Sequence, residues 1–210
     1  MSIVGSGQAN RLPHLVLIPE GDFLAGEDRL RVHMPAYWLA LYPVTNAEYA
    51  RFVEQTGHAA EAWPPEKAQH PVVSVSWDDA QAYCRWADLR LPTELEWEKA
   101  ARGSDGRVYP WGDDWDESRC RTDANRGDEE TCAVTDYPQG ASPWGMQQMA
   151  GNIWEWCEDR CTDEQEGNWR VVRGGSWINL LPDNFRCYHR AVSEQDARDG
   201  CAGFRCAKSL

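Results

Sequence analysis

From Gly103 to Gly145 the chain reads GSDGRVYPWGDDWDESRCRTDANRGDEETCAVTDYPQGASPWG, with neither helical nor strand periodicity. Gly, Pro, Asp, Asn and Trp punctuate the whole stretch. An irregular segment of this length inside a folded chain is normally functional, or held by crosslinks or ions. It also confines regular structure to the two flanks. On the N-terminal side, HLVLIPEGDFLAGE and RVHMPAYWLALYPV read as short strands with turns. On the C-terminal side, MAGNIWEWC and NWRVVRGGSW read as strands, and GFRCA closes the chain.

Helices lie between these flanks. TNAEYARFVEQTG begins at Thr45 or Asn46 as N-cap, buries Tyr49, Phe52 and Val53, and stops at Gly57. VSWDDAQAYCRWADLR repeats that grammar, with Asp78 as the expected cap and Ala80, Tyr83, Cys84 and Ala87 as a buried stripe. In LPTELEWEKAARG, Thr93 and Glu96 form a capping box. The pattern predicts an α+β fold, loop-rich, with short helices on a small twisted antiparallel sheet. No internal repeat or linker interrupts it. The 210 residues suit one domain over 12–210, preceded by an N-terminal tail at 1–11.

Charge narrows the function classes. With 21 basic and 34 acidic residues, the net charge is −13. A duplex nucleic-acid binder needs a basic face, and so does a protein that docks on anionic lipid. The expectation is therefore no nucleic-acid partner and no membrane insertion, leaving a protein or a small ligand. The N-terminus lacks a charged region followed by a long apolar run, so the sequence points to a cytoplasmic location, with surface display by another route left open.

The 8 cysteines do not form the paired CxxC spacing of a zinc site. Cys157 and Cys161 are a lone close pair, and Cys120 and Cys132 bracket an acidic loop. Buried thiols and disulfides are the simplest reading. The 5 histidines are scattered without ligand spacing.

IPEGDFLAG, YPVTNAEYARFV, PVVSVSWDDAQAYCRWADLRLPTELEWEKAARG, YPWGDDWD, SPWGMQQMAGNIWEW, RVVRGGSW and GFRCA follow one another in that order. Together they resemble the formylglycine-generating enzyme family, also called the sulfatase-modifying-factor domain. The resemblance covers residues 12–208 and implies a C-type-lectin-like fold. The large aromatics of these motifs, Trp154, Trp156 and Trp177, are read as core, with indole N–H groups that need partners.

The resemblance implies chemistry only in part. Copper-dependent members use two cysteines spaced C-x4-C after the GGS strand, and paired thiolates suit Cu(I). Cys187 stands at the second of those positions, but Pro182 stands at the first and cannot bind a metal. No catalytic residue is therefore assigned, with Cys187 as the alternative if neighbouring Arg186, His189 or Arg190 lowers its pKa. The resemblance further implies a disulfide between Cys84 and Cys206. A structural calcium ion would be held by Gln148, Gly151, Ile153 and Glu155, with Gln148 where Asp or Asn is usual. No other cofactor is implied.

Variable proteins of diversity-generating retroelements reuse this fold without catalysis, randomising adenines of Asn codons near the C-terminus. Here GGSW, PDN, Arg186, Arg190 and GFR keep the frame. Ile178, Leu180, Leu181, Tyr188, His189, Ala191, Val192, Ser193, Asp199, Gly200 and Cys201 are each reachable from an Asn codon by adenine changes, and Asn179 is itself Asn. Residues 178–202 are accordingly the candidate variable ligand-binding segment, carried by a rigid frame. Ile178, Leu180, Leu181, Tyr188 and His189 would form its apolar and aromatic patch.

Overall fold

The computed structural model describes residues 13–161 and 167–210. The N-terminal tail expected over 1–11 lies outside the described residues. Among the described residues three α-helices carry the caps that their sequences encode. Helix α1, Asn46–Thr56, starts on Thr45, whose side chain accepts from the Glu48 amide while Glu48 answers to the Thr45 amide; Gly57 ends it in the left-handed region. Helix α3, Glu94–Arg102, begins with the same reciprocal pair from Thr93 and Glu96. Helix α2, Trp77–Trp86, departs from the expected cap: Ser76 is the N-cap and Asp79 its partner. Asp78 lies inside the first turn and is exposed. The Ser-x-x-Asp box satisfies two orphan amides, which a cap at Asp78 could not do at that helix start.

Among the described residues the strands form three small sheets rather than one. Strands β1 (Leu15–Ile18), β4 (Tyr37–Ala40) and β9 (Ala207–Ser209) pair antiparallel in the order β1-β4-β9. Strands β2 (Gly21–Ala25) and β3 (Leu30–Met34) make a hairpin. The third sheet runs β7-β6-β5-β8, with β5 Trp154–Arg160, β6 Trp169–Arg173, β7 Arg190–Glu194 and β8 Ala202–Gly203. Its β5–β8 pairing is parallel, a departure from the all-antiparallel expectation. That short contact lets the chain leave β5's edge and, through Phe204, Arg205 and Cys206, join the first sheet as β9.

Strand alternation gives the third sheet two covered faces. Trp156 and Val172 point into a cluster with α1 and α2, including Tyr49, Phe52, Tyr83, Cys84 and Phe204. Their neighbours Cys157 and Val171 point the other way, toward Trp97, Ala100 and Ala101 of α3. A third cluster, built on Tyr109, Cys120, Ala150 and Phe185, anchors the irregular region.

Side chains hold that region by bonding to its backbone. Buried Arg121 donates to the carbonyls of Arg126, Glu129 and Glu130, and Asn152 brackets Cys132 through both its amide and its carbonyl. The Asn125 side-chain amide donates to the carbonyls of Glu117 and Cys120. These bonds satisfy the backbone groups that an irregular interior segment would otherwise strand.

Candidate ligand-binding surface

The C-terminal segment hangs from a frame whose parts are locked by close packing. Gly175 has φ 73°, and a Cβ there would sit 2.7 Å from the Phe185 ring and 2.9 Å from the Asn184 carbonyl. Gly203 has no room either, because a Cβ would lie 2.1 Å from the Val72 carbonyl oxygen. Beneath the segment, Arg173 is enclosed and pairs with Glu94 at 3.0 Å and Glu98 at 2.8 Å. The same guanidinium donates to the carbonyls of Cys187 and Tyr188, so β6 fixes the backbone that precedes β7.

On this frame Ile178, Leu180 and Leu181 are exposed by 56%, 56% and 64%. Asn179, between them, is half-buried and braces the turn. Its side-chain oxygen accepts from the Ser176 amide and hydroxyl, and its carbonyl accepts from the Asp123 amide. The exposed residues run into a short 3-10 turn, Pro182–Phe185, whose Phe185 stacks on Trp115 at 5.1 Å.

The remaining members do not share one face. Tyr188 is half-buried, its ring 5.0 Å from the Arg102 guanidinium and 5.9 Å from that of Arg186. His189 is half-buried against Trp154, 5.8 Å between ring centroids; burial, then the Arg173 charge, holds its pKa below the ordinary histidine value. Along β7, Ala191 packs on the α1–α2 cluster, while Val192 pairs with Val171, which belongs to the opposite cluster. The Ser193 hydroxyl reaches Asp199 at 3.3 Å. Gly200 is exposed and offers its carbonyl to the Trp177 indole, and the Cys201 carbonyl accepts from the Trp154 amide.

Two residues read as core are also open to this surface, although Trp154 does pack against the α1–α2 cluster as expected. Trp156 is fully buried and donates to the Val75 carbonyl at 3.0 Å, as a core indole should. Trp154 and Trp177 are only half-buried; Trp177 lies 5.1 Å from the Arg126 guanidinium. Their place in the GNIWEW and GGSW motifs concealed this, because both motifs mix inward and outward side chains.

The chemical alternatives fare differently. Cys187 has no exposed surface, and burial pushes its thiol far above the usual range. Its amide is spent on the Val108 carbonyl at 2.7 Å. The nearby arginines therefore do not yield an accessible thiolate, as a nucleophile or copper ligand requires. Among the calcium candidates, Gln148 has a buried side-chain oxygen without a partner among the described residues. Glu155, the one charged ligand, is already committed to Arg205 at 2.6 and 2.7 Å and to the Trp97 indole at 2.7 Å. Calcium affinity depends on charged oxygens, so Gln148, Gly151, Ile153 and Glu155 do not fit the ion as a set. Cys84 and Cys206 do meet, with sulfurs 3.6 Å apart as a thiol–thiol contact rather than a covalent bond.

Residues 2–210 match the sulfatase-modifying factor enzyme 1-like domain. Relatives include the serine/threonine-protein kinase pkn1 of Chlamydia pneumoniae, 34% identical over 95% of this chain and 38% of its own. The chain thus spans under half of that kinase. The formylglycine-generating enzyme of Streptomyces coelicolor is 34% identical over 78% of this chain and 75% of its own. The mouse protein named inactive C-alpha-formylglycine-generating enzyme 2 is 30% identical over 94% and 86%. Among solved structures, PvdO from Pseudomonas aeruginosa superposes with a TM-score of 0.82 at 22% identity, covering 97% of both chains. Treponema denticola variable protein 1 superposes with 0.79 at 21%, covering 93% and 95%. The fold is α+β and C-type-lectin-like, shared with both an enzyme and variable proteins. No helix among the described residues is long and apolar enough to cross a membrane.

Proposed function

The chain belongs to the sulfatase-modifying factor enzyme 1-like family, and on that premise we propose that it is a non-enzymatic ligand-binding protein that presents residues 178–202 to a protein or small ligand. One observation carries the reading: the thiol that an oxidase would use is sealed, while Ile178, Leu180 and Leu181 of the same segment stand in solvent. Proline at 182 removes the second thiolate that copper chemistry needs. Exposed apolar side chains clustered on a fixed frame mark interaction surfaces. Half-buried Trp177, next to Ile178, supplies an aromatic contact of the kind such surfaces favour.

Two experiments test it. Incubation with Cu(I) and a cysteine-containing peptide should give no aldehyde by mass spectrometry; conversion of the peptide, lost in Cys187→Ser, would overturn the non-enzymatic reading. Sequencing of the flanking DNA addresses diversification separately. A reverse transcriptase gene with a template copy of the tail, differing only at adenines, is the expected finding. A tail without any template copy would reduce the segment to a fixed binding surface.

A further inference from the structure

Strand β7, Arg190–Glu194, is the outer strand of the β7-β6-β5-β8 sheet. It keeps unbroken antiparallel register with β6, from Arg173 opposite Arg190 to Trp169 opposite Glu194. One position further on, the Gln195 amide donates at 2.8 Å to the Asn168 carbonyl, its direct opposite in that register. Bonded and unbonded pairs alternate along an antiparallel ladder. Ala191 and Ser193 therefore turn their backbone groups to β6, while Arg190, Val192 and Glu194 turn theirs outward. Among the described residues no hydrogen bond reaches the amide or carbonyl of Val192 or the amide of Glu194, and the Glu194 carbonyl accepts from Ala197.

Sheet edges of soluble proteins are normally blunted by proline, lysine or a bulge. Strand β7 contains none of these. Its outward-turned positions read Arg, Val, Glu, with opposite charges two residues to either side of Val192. Arg190 and Glu194 are exposed and Val192 is half-buried. Arg190 holds Glu94 at 3.0 Å with 34% of its side chain still accessible to a further carboxylate. An antiparallel copy of the same strand, centred on Val192, sets each Arg190 opposite Glu194 of the other copy. Opposite charges facing each other across a ladder are stabilising, and like charges are not.

This order of charges complements itself about a two-fold axis, the symmetry of an isologous dimer. We propose that β7 pairs antiparallel with β7 of a second copy of this chain, joining two four-stranded sheets across that axis. The two Val192 residues exchange amide and carbonyl at the centre. Each Glu194 amide donates to the carbonyl of Arg190 in the second copy. The pairing needs no ligand at Ile178, Leu180 or Leu181.

Sedimentation equilibrium from about 10 μM to about 1 mM, the range of a small interface, should show monomers passing into dimers. Amide exchange followed residue by residue by NMR should show Val192 and Glu194 gaining protection with concentration. Ala191 and Ser193, already bonded to β6, should not change. Val192→Pro removes an outward amide and spares the β6 ladder, as edge strands allow. It should weaken dimerisation at least about tenfold, the loss of two hydrogen bonds, and its melting curve reports whether the fold survives. Glu194→Lys leaves the backbone untouched and places two like-charge pairs across the axis, so it should weaken the dimer about tenfold as well. The proposal is overturned if wild type stays monomeric throughout, if the amides protected in a dimer lie elsewhere, or if Glu194→Lys dimerises like wild type.

Discussion

Arg205 is fully enclosed, and its guanidinium spends its donors on Glu155 and on the carbonyls of Ala40, Leu41, Gln147 and Gln148. Removing such a partner strands a buried carboxylate, so Arg205→Met should cost about 3–5 kcal/mol in urea denaturation. Arg205→Lys, which keeps the charge but loses the planar fork, should fall between that value and wild type. Histidines give a pH signature. Burial, then the charge of Arg173, depresses His189, and burial, then Lys67, depresses His70. The unfolded chain binds these protons near pH ~6.5, the folded chain only at lower pH. The corresponding stability is complete above that pH and is lost as pH falls toward the depressed folded values. Thermal melts from about pH 7.5 down to 5.5 should therefore show a steeper loss for wild type than for His189→Gln. His33 has the opposite sign, because Asp22 raises its pKa: its contribution is present in acid and fades as pH rises through the raised value.

The elements themselves differ in how openly the sequence declares them. Helices α1 and α3 are legible because Thr45–Glu48 and Thr93–Glu96 satisfy orphan amides within one turn. Helix α2 is equally well encoded by Ser76 and Asp79, but Asp78, also a favoured N-cap residue type, stands inside the first turn and competes for the reading. Ser76→Ala should accordingly cost about 1 kcal/mol by chemical denaturation. Asp78→Ala, at an exposed position, should stay within about 0.5 kcal/mol. A larger effect at Asp78 would contradict the cap assignment. Strand β7 had no such local signal. Its register is imposed by β6, from Trp169 opposite Glu194 to Arg173 opposite Arg190, and an edge strand shaped by its neighbour needs little pattern of its own.

Across the whole molecule, the C-terminal chain is the fastener: it adds β8 to one sheet and β9 to another, and carries Arg205 and Cys206 between them. Cys84 and Cys206 are separated by 122 positions and sit 3.6 Å apart at the sulfurs. Oxidation that closes this loop should raise stability by about 4–5 kcal/mol. Melting in oxidising and reducing buffer should reveal that gap, and Cys84→Ser should close it. The family, the α+β class, two helix starts and the meeting of those cysteines were written in the residues, because caps, glycines and ordered motifs act locally or recur as a set. Only the tertiary structure decided that Cys187 is sealed, that Glu155 belongs to Arg205, and that Asn179 braces a turn while Ile178 and Leu181 face water. Exposure and pairing are set by whatever distant segment arrives alongside, as when Arg205 meets the carbonyl of Ala40, 165 positions away. No local spacing in the sequence records that.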